Sequence, residues 1–267
     1  MGVINTYKWL KEHYENPEAI CEKFADFIPL PNAQIYKYLV SRGMYYPTRG
    51  GEKEIERLKE KQVWQELAQE YKELRRWLNG PDVPIFIFPS DLYNRQMQRE
   101  YNGKAGLAFR TCVFLFVSSQ TSIGELKALL THEYHHICRL HALEKEQKEH
   151  VLLDTMIMEG LAEAAVAERH SEQQHAAWVR YYTKREALFF WFRFLQEAQT
   201  VKKGTKTHEE LLNGLKLYPK MLGYCTGFYI VQDCIEHTNY NTKQLLPMPS
   251  KIILSHAENF TKKQPLS

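Results

Sequence analysis

The sequence predicts an α+β fold that is mostly helical and has a small sheet near the middle of the chain. Apolar residues recur at helical spacing before residue 79, and again from Ser122 to about His237. Between these stretches, the runs 83–88 and 111–117 are short and rich in β-branched and aromatic residues, which is typical of strands. The sheet is therefore expected to come before the long C-terminal helical part.

The first 80 residues have a helical pattern. A first helix is expected from Tyr7 to Tyr14, and a longer one from Glu52 to Leu78, a stretch without proline or glycine. The apolar residues of this longer stretch are Ile55, Leu58, Val63, Trp64, Leu67, Tyr71, Leu74 and Trp77. The turn-forming sequence Asn79-Gly80-Pro81 is expected to end it.

A candidate third strand covers Ala105 to Phe109 and is entered through Asn102-Gly103. The length of 267 residues suits one large domain or two small ones. We expect residues 1–80 to form a helical N-terminal part and residues 81–267 to contain the sheet and the later helices. The two parts are expected to form one compact unit.

The composition excludes several classes of function. The 35 basic and 32 acidic residues give a net charge of +3, without the basic excess that nucleic-acid binding needs. No uninterrupted apolar run approaches about 18 residues, so no membrane span is expected. The five cysteines include no C-x-x-C pair, which favours a reduced, cytoplasmic protein without a cysteine-ligated zinc site. The composition indicates no particular oligomeric state.

The stretch Thr121 to Glu125 is typical of a helix start, with Thr121 or Ser122 as the capping residue. Apolar residues then follow at helical spacing, at Leu126, Leu129 and Leu130. This helix carries the sequence His-Glu-Tyr-His-His at positions 132–136. Polar side chains on a helix that packs into the core cost free energy unless they bind a partner, and a metal ion is one such partner.

The spacing within this motif suits a zinc ion. His132 and His136 are four residues apart on a helix, so their imidazoles project from nearly the same face and can bind one Zn²⁺. Glu133 is rotated from His132 by about 100°, because a helix has about 3.6 residues per turn. It is therefore poorly placed to be a ligand, but it can reach a water molecule on the metal as a general base.

A third ligand is predicted from the following helix. A turn is expected near residue 146, and a second helix near His150. If the two helices are antiparallel, Glu159 comes back opposite residue 133, between the two motif histidines. Glu163, one turn further, would then accept a hydrogen bond from the other ring N–H of His132. Three protein ligands leave one position for water, which is the arrangement of catalytic zinc sites.

These residues carry a specific resemblance. The motif at 132–136 with Glu159-Gly-Leu-Ala-Glu163 downstream resembles the gluzincin metallopeptidases, which pair H-E-x-x-H with a downstream E-x-x-x-D/E. More closely, the chain resembles the family of predicted zinc-dependent proteases that includes the YjaZ-type proteins of bacilli. The blocks that carry this likeness are Met1–Thr6, Leu130–Arg139, Glu159–Glu163 and Gly223–Gly227. The resemblance implies a zincin-like fold, a zinc peptidase and a bacterial cytoplasmic setting, although Glu163 stands where aspartate is common.

Several side chains around the motif have alternative interpretations. His135, three residues after His132, is the alternative third ligand. Arg139, seven residues after His132, is expected on the same face of the helix. There it would bind Glu163 or a substrate carboxylate, or it would form an ordinary ion pair on the helix. The histidines in polar stretches are expected to be solvated: His141, His150, His170 and His175.

Peptide hydrolysis also needs a donor to the negative charge that develops on the carbonyl oxygen. Candidates outside the two metal helices are Tyr181, Tyr182, His208, Tyr218, Tyr224 and His237. Tyr224 is singled out because Gly223 precedes it and Gly227 follows it, and glycine lets backbone approach closely. A half-buried packing role is the alternative for Tyr224.

The expected function is hydrolysis of peptide bonds in a peptide or protein substrate, with one Zn²⁺ and Glu133 as general base. A zinc hydrolase that acts on a non-peptide amide is one alternative. A protein that binds clients without catalysis and has a structural zinc is the other. The presence of Glu133 argues against the latter, because a structural site has no use for a base.

Overall fold

A computed structural model describes residues 1–28, 30–143 and 149–262. The chain forms two compact units, Met1–Ile137 and Cys138–Ser267, and the division falls within one long helix. The expected organisation into residues 1–80 and 81–267 stays a prediction. The expected turn near residue 146 lies outside the described residues.

The first unit contains a four-stranded sheet, and the α+β, mostly helical fold is confirmed. Its strands are β1 (Gly2–Val3), β2 (Pro84–Pro89), β3 (Ala105–Ala108) and β4 (Val113–Val117), in the order β1-β2-β4-β3. Strand β2 runs parallel to β1 and β4, and β3 is antiparallel to β4. The three expected strands are confirmed, whereas β1 has only two residues and no periodicity from which to predict it.

The helices that begin in the first unit are α1 (Thr6–His13), α2 (Pro17–Cys21), α3 (Asn32–Ser41), α4 (Glu52–Glu60), α5 (Val63–Leu78), α6 (Arg95–Glu100) and α7 (Ile123–Ala142). The single helix expected from Glu52 to Leu78 is wrong, because two helices share this stretch. Gln62 lies between them in the left-handed region, with φ of 55°. The apolar pattern continues across the break, so periodicity alone does not reveal it.

The sheet is the core of the first unit. Every residue of β2 and β4 is buried, as expected of parallel strands with both faces covered. Phe24 packs edge-on against three strand residues, with ring centroids 4.8 Å from Phe86, 5.7 Å from Phe88 and 5.0 Å from Phe114. This aromatic cluster fixes the strands that precede helix α7.

The second unit is helical. Its helices are α8 (Leu152–Arg169), α9 (Lys184–Phe190), α10 (Lys206–Asn213), α11 (Leu222–Thr238), α12 (Thr242–Leu245), α13 (Ser250–His256) and α14 (Glu258–Thr261), with a π-helical segment at Trp191–Leu195. None of the helices within 1–28, 30–143 and 149–262 is long and apolar enough to cross a membrane.

Helices α8 and α11 cross with their backbones in close contact. A Cβ on Gly227 of α11 would lie 2.2 Å from the carbonyl oxygen of Met156, and one on Gly160 of α8 would lie 2.4 Å from the carbonyl oxygen of Gly227. Neither glycine can be replaced unless the helices separate. This crossing fixes the position of α8, which carries Glu159 and Glu163.

We expect Gly227→Ala to lower the free energy of unfolding by about 1–3 kcal/mol, because the added methyl overpacks the crossing. Chemical denaturation of the variant and the wild type measures the change, and Gly160→Ala should behave in the same way. At an uncrowded helix position the same substitution raises stability by about 1 kcal/mol, so stabilisation of both variants would contradict the close crossing.

Candidate metal centre

Helix α7 begins with a capping box. The Ser122 hydroxyl accepts from the backbone N–H of Glu125, and the Glu125 carboxylate accepts from the backbone N–H of Ser122. Asn102 and Lys104 also donate to this carboxylate, at 2.6 and 3.1 Å. Burial opposes ionisation, but hydrogen bonds from Asn102, Ser122 and Lys104 outweigh it and lower the pKa of Glu125 to about 2. Of the two expected capping residues, Thr121 and Ser122, it is therefore Ser122 that caps the helix.

The loop before α7 is held by two charged side chains, Glu54 of helix α4 and Lys61, which directly follows the last residue of that helix. The buried carboxylate of Glu54 accepts from the backbone N–H and, at 2.8 Å, from the hydroxyl of Ser119. The Lys61 ammonium donates to the carbonyl oxygens of Ser119 and Thr121, both at 2.7 Å. These bonds fix where the helix starts.

The rotation of α7 about its axis is set by Tyr134. This side chain is fully buried, its hydroxyl donates to the carbonyl oxygen of Pro81 at 2.8 Å, and its ring packs edge-on against Tyr71. His132 and His136 lie together on a different face of α7 from Tyr134, as their spacing predicts. The rings of His132 and His136 lie 4.5 Å apart between centroids, with 83° between their planes.

The structure brings three of the predicted site residues together. His132, His136 and Glu159 each offer one ligand atom, and these atoms lie within 4.8 Å of one another. The set fits a zinc ion, because two imidazole nitrogens and one carboxylate oxygen are ligands that zinc takes in catalytic sites. This group contains Glu159 and not His135, which is fully buried on the same helix. That these residues bind a metal remains a prediction.

Glu133, the predicted general base, lies on α7 one residue after His132. Its side chain is 7% exposed and lies directly against strand β3, where the facing residue is Gly106. Nothing in the helical periodicity indicates this neighbour.

Glu163 lies one turn after Glu159 on α8 and is buried. Its carboxylate accepts from the backbone N–H of Ala176 at 2.9 Å. The neighbouring His175 packs edge-on against Phe228, with ring centroids 5.2 Å apart. Burial lowers the pKa of His175, and the nearby Glu163 carboxylate acts in the opposite direction.

Of the four outlying histidines expected to be solvated, His141 is exposed, but the expectation is wrong for the other three, of which His170 is half-buried. His175 is half-buried beside Glu163, and His150 is buried at the start of the second unit. Their surroundings in the sequence are polar, but the fold covers them. Sequence reasoning missed His175 because its partners, Glu163 and Phe228, lie on two separate helices.

Arg139 does not hold Glu163 or form an ordinary ion pair on the helix surface. It is 2% exposed, and its guanidinium donates to the carbonyl oxygens of Leu245, Leu246 and Met248 and to the Ser250 hydroxyl. Burial lowers its pKa to about 10. Arg139 therefore ties the C-terminal end of α7 to the segment between α12 and α13.

Tyr224, the favoured oxyanion donor, is half-buried on α11, and its ring packs edge-on against Trp178 at 5.3 Å. His208 is engaged elsewhere, because its ring nitrogens lie 3.1 Å from the Thr155 hydroxyl and 3.2 Å from the Glu209 carboxylate. Burial lowers the pKa of His208, against the opposing effect of Glu209.

The other candidates for this role also have structural partners. His237 lies with Nδ1 2.7 Å from the carbonyl oxygen of Asp233. The rings of Tyr182 and Tyr218 pack against Phe190 and Phe194, respectively. Lys220 lies over the ring of Tyr181.

Comparison with known proteins identifies the family. The chain matches the family model described as "Predicted Zn-dependent protease (DUF2268)" over residues 63–255, and it belongs to that family. It is 37% identical to the uncharacterized protein YjaZ of Bacillus subtilis (strain 168) over 261 residues, which are 95% of this chain and 98% of that protein. It is 22% identical to the uncharacterized protein YjfC of the same organism, over 69% of this chain and 64% of that protein. No solved structure matches the chain.

We expect the purified protein to hold about one zinc ion per chain, because three protein ligands suffice for a catalytic site. His132→Ala, His136→Ala and Glu159→Ala should each lose it, and elemental analysis measures the content. His141→Ala, on an exposed part of the same helix, is the matched control and should retain the metal. Glu163→Ala should weaken zinc binding by about 10–100-fold. Full retention in both motif-histidine variants would rule out this metal site.

Proposed function

We propose that this chain is a zinc metallopeptidase of the gluzincin type. The observation that carries the proposal is the group of His132, His136 and Glu159, with Glu133 on the same helix as the two histidines. The family description as a predicted zinc-dependent protease supports both the metal and a peptide or protein substrate. Because that description names a protease, it favours a peptide over a non-peptide amide as the substrate. In this proposal the fold is zincin-like and the setting is the bacterial cytoplasm.

His132, His136 and Glu159 would hold the zinc ion. Bound there, zinc supplies a Lewis acid that lowers the pKa of a water molecule and polarises the scissile carbonyl. The Glu133 carboxylate accepts the proton from the attacking water and then delivers it to the leaving amine. Glu163 would accept a hydrogen bond from His132 and so fix the tautomer of that imidazole. The structure already gives Glu163 one donor, the Ala176 backbone N–H.

Glu133→Gln separates catalysis from metal binding. The amide is nearly isosteric with the carboxylate but cannot accept the proton, so we expect zinc content and unfolding midpoint to stay at the wild-type values while peptide hydrolysis is lost. Cleavage of casein measures the activity, with a chelator-treated wild-type sample as the reference for zinc dependence. Hydrolysis at the wild-type rate in Glu133→Gln would exclude Glu133 as the base.

Tyr224 is proposed as the donor to the oxyanion. Tyr224→Phe should then lower kcat by about 10²–10³-fold with little change in KM or zinc content, because the hydroxyl acts where charge develops. Tyr229→Phe is the matched control, since it lies on the same helix and its hydroxyl donates to the carbonyl oxygen of Tyr182. The control should lose about 1 kcal/mol of stability and keep its turnover. The same outcome for Tyr224→Phe would remove Tyr224 from the mechanism.

A further inference from the structure

Strand β3 has the sequence Ala-Gly-Leu-Ala, and Gly106 is its second residue. Glycine is disfavoured inside strands because it loses more conformational freedom than other residues and contributes no packing. Gly106 pairs with Leu115 of β4 in regular antiparallel register and does not have a positive φ. Neither a turn nor a bulge therefore explains why a glycine stands at position 106. The explanation must lie in the side chain that faces this position.

Gly106 faces the side chain of Glu133. A Cβ on Gly106 would lie 2.3 Å from both Cγ and Oε1 of Glu133, and 2.4 Å from its Cδ. Cβ contacts below 3.0 Å are essentially never found, so a methyl group and this conformer of Glu133 exclude each other. The conflict includes Cγ, whose position is set by the first side-chain torsion, so a small movement of the carboxylate alone does not relieve it.

Neither backbone is well placed to yield. Helix α7 is fixed in rotation by the hydrogen bond from Tyr134 to Pro81 and at its start by the capping box of Ser122 and Glu125. Strand β3 is paired along its length with the fully buried β4. A methyl group at position 106 would therefore require the Glu133 side chain to change its rotamer.

We propose that Gly106 is a positioning residue for Glu133: the missing side chain at this strand position admits the one conformer in which the carboxylate is held for proton transfer. The catalytic consequence rests on the proposed function, in which Glu133 is the base. Strand β3 packs directly against the Glu133 carboxylate. Because the Glu133 side chain is only 7% exposed, its burial limits the other conformers that it can adopt.

Gly106→Ala tests the catalytic consequence. We expect kcat to fall by about 10²-fold, the effect of a displacement of roughly 1 Å in a reacting group, with KM and zinc content unchanged. Ala108→Gly, on the same strand, is the control for altered strand flexibility and should keep the wild-type kcat. Wild-type kcat in Gly106→Ala would overturn the proposal, as would an equal loss of kcat in Ala108→Gly.

A stability cycle tests the contact without any activity. Gly106→Ala should lower the unfolding midpoint in the wild type, but not in a Glu133→Ala background, where the three nearest atoms, Cγ, Cδ and Oε1 of Glu133, are gone. The same decrease in both backgrounds would show that another contact requires the glycine and would overturn the proposal. A folded, zinc-loaded wild type without peptidase activity would contradict the proposed function, and the stability cycle would then decide alone whether Gly106 positions Glu133.

Discussion

The polar face of helix α7 is the constraint on which the candidate site depends. Two imidazoles and a carboxylate project from a helix whose other residues are largely buried, and such groups cost free energy unless they are satisfied. A shared metal ion would satisfy His132 and His136 together, because one ion can take an imidazole nitrogen from each. The spacing of the two histidines makes this possible, and a restraint on the position and rotation of the helix decides what the two rings face.

The contacts of α7 in the first unit provide this restraint. The start of the helix is fixed by Glu54, Lys61 and Glu125, three charged side chains that bind the preceding loop or cap the helix. Its rotation is fixed by Tyr134 against Pro81. In the second unit, the end of the helix is fixed by Arg139, and α8 is fixed by the glycine crossing with α11. Within each unit, these contacts fix the helix that carries the candidate site residues, and they involve none of the three candidate ligands.

The parts of the site that the sequence predicts are those set by spacing along one helix. The spacing of four positions from His132 to His136 places the rings on one face regardless of the rest of the fold. Counting from an assumed turn was enough to group Glu159 with them. The sequence also predicts strands β2, β3 and β4, of which β2 and β4 are short runs of mainly β-branched and aromatic residues.

Other features depend on contacts between residues far apart in the chain. The break at Gln62 interrupts no apolar period, so the sequence pattern does not reveal it. Three of the acceptors of Arg139 are backbone carbonyls more than one hundred residues away, and carbonyls have no sequence signature. A glycine at 106 signals a close approach, but that Glu133 makes the approach follows only from the packing of strand β3 against helix α7.

We propose that one zinc ion binds to His132, His136 and Glu159. Anomalous diffraction recorded on either side of the zinc absorption edge, from crystals of the protein purified without chelators, tests it most directly. We expect a single zinc peak within coordination distance of the two imidazoles and the Glu159 carboxylate, with one position left for water. A zinc peak bound by His135, or one at another place in the chain with these three side chains unligated, would contradict it.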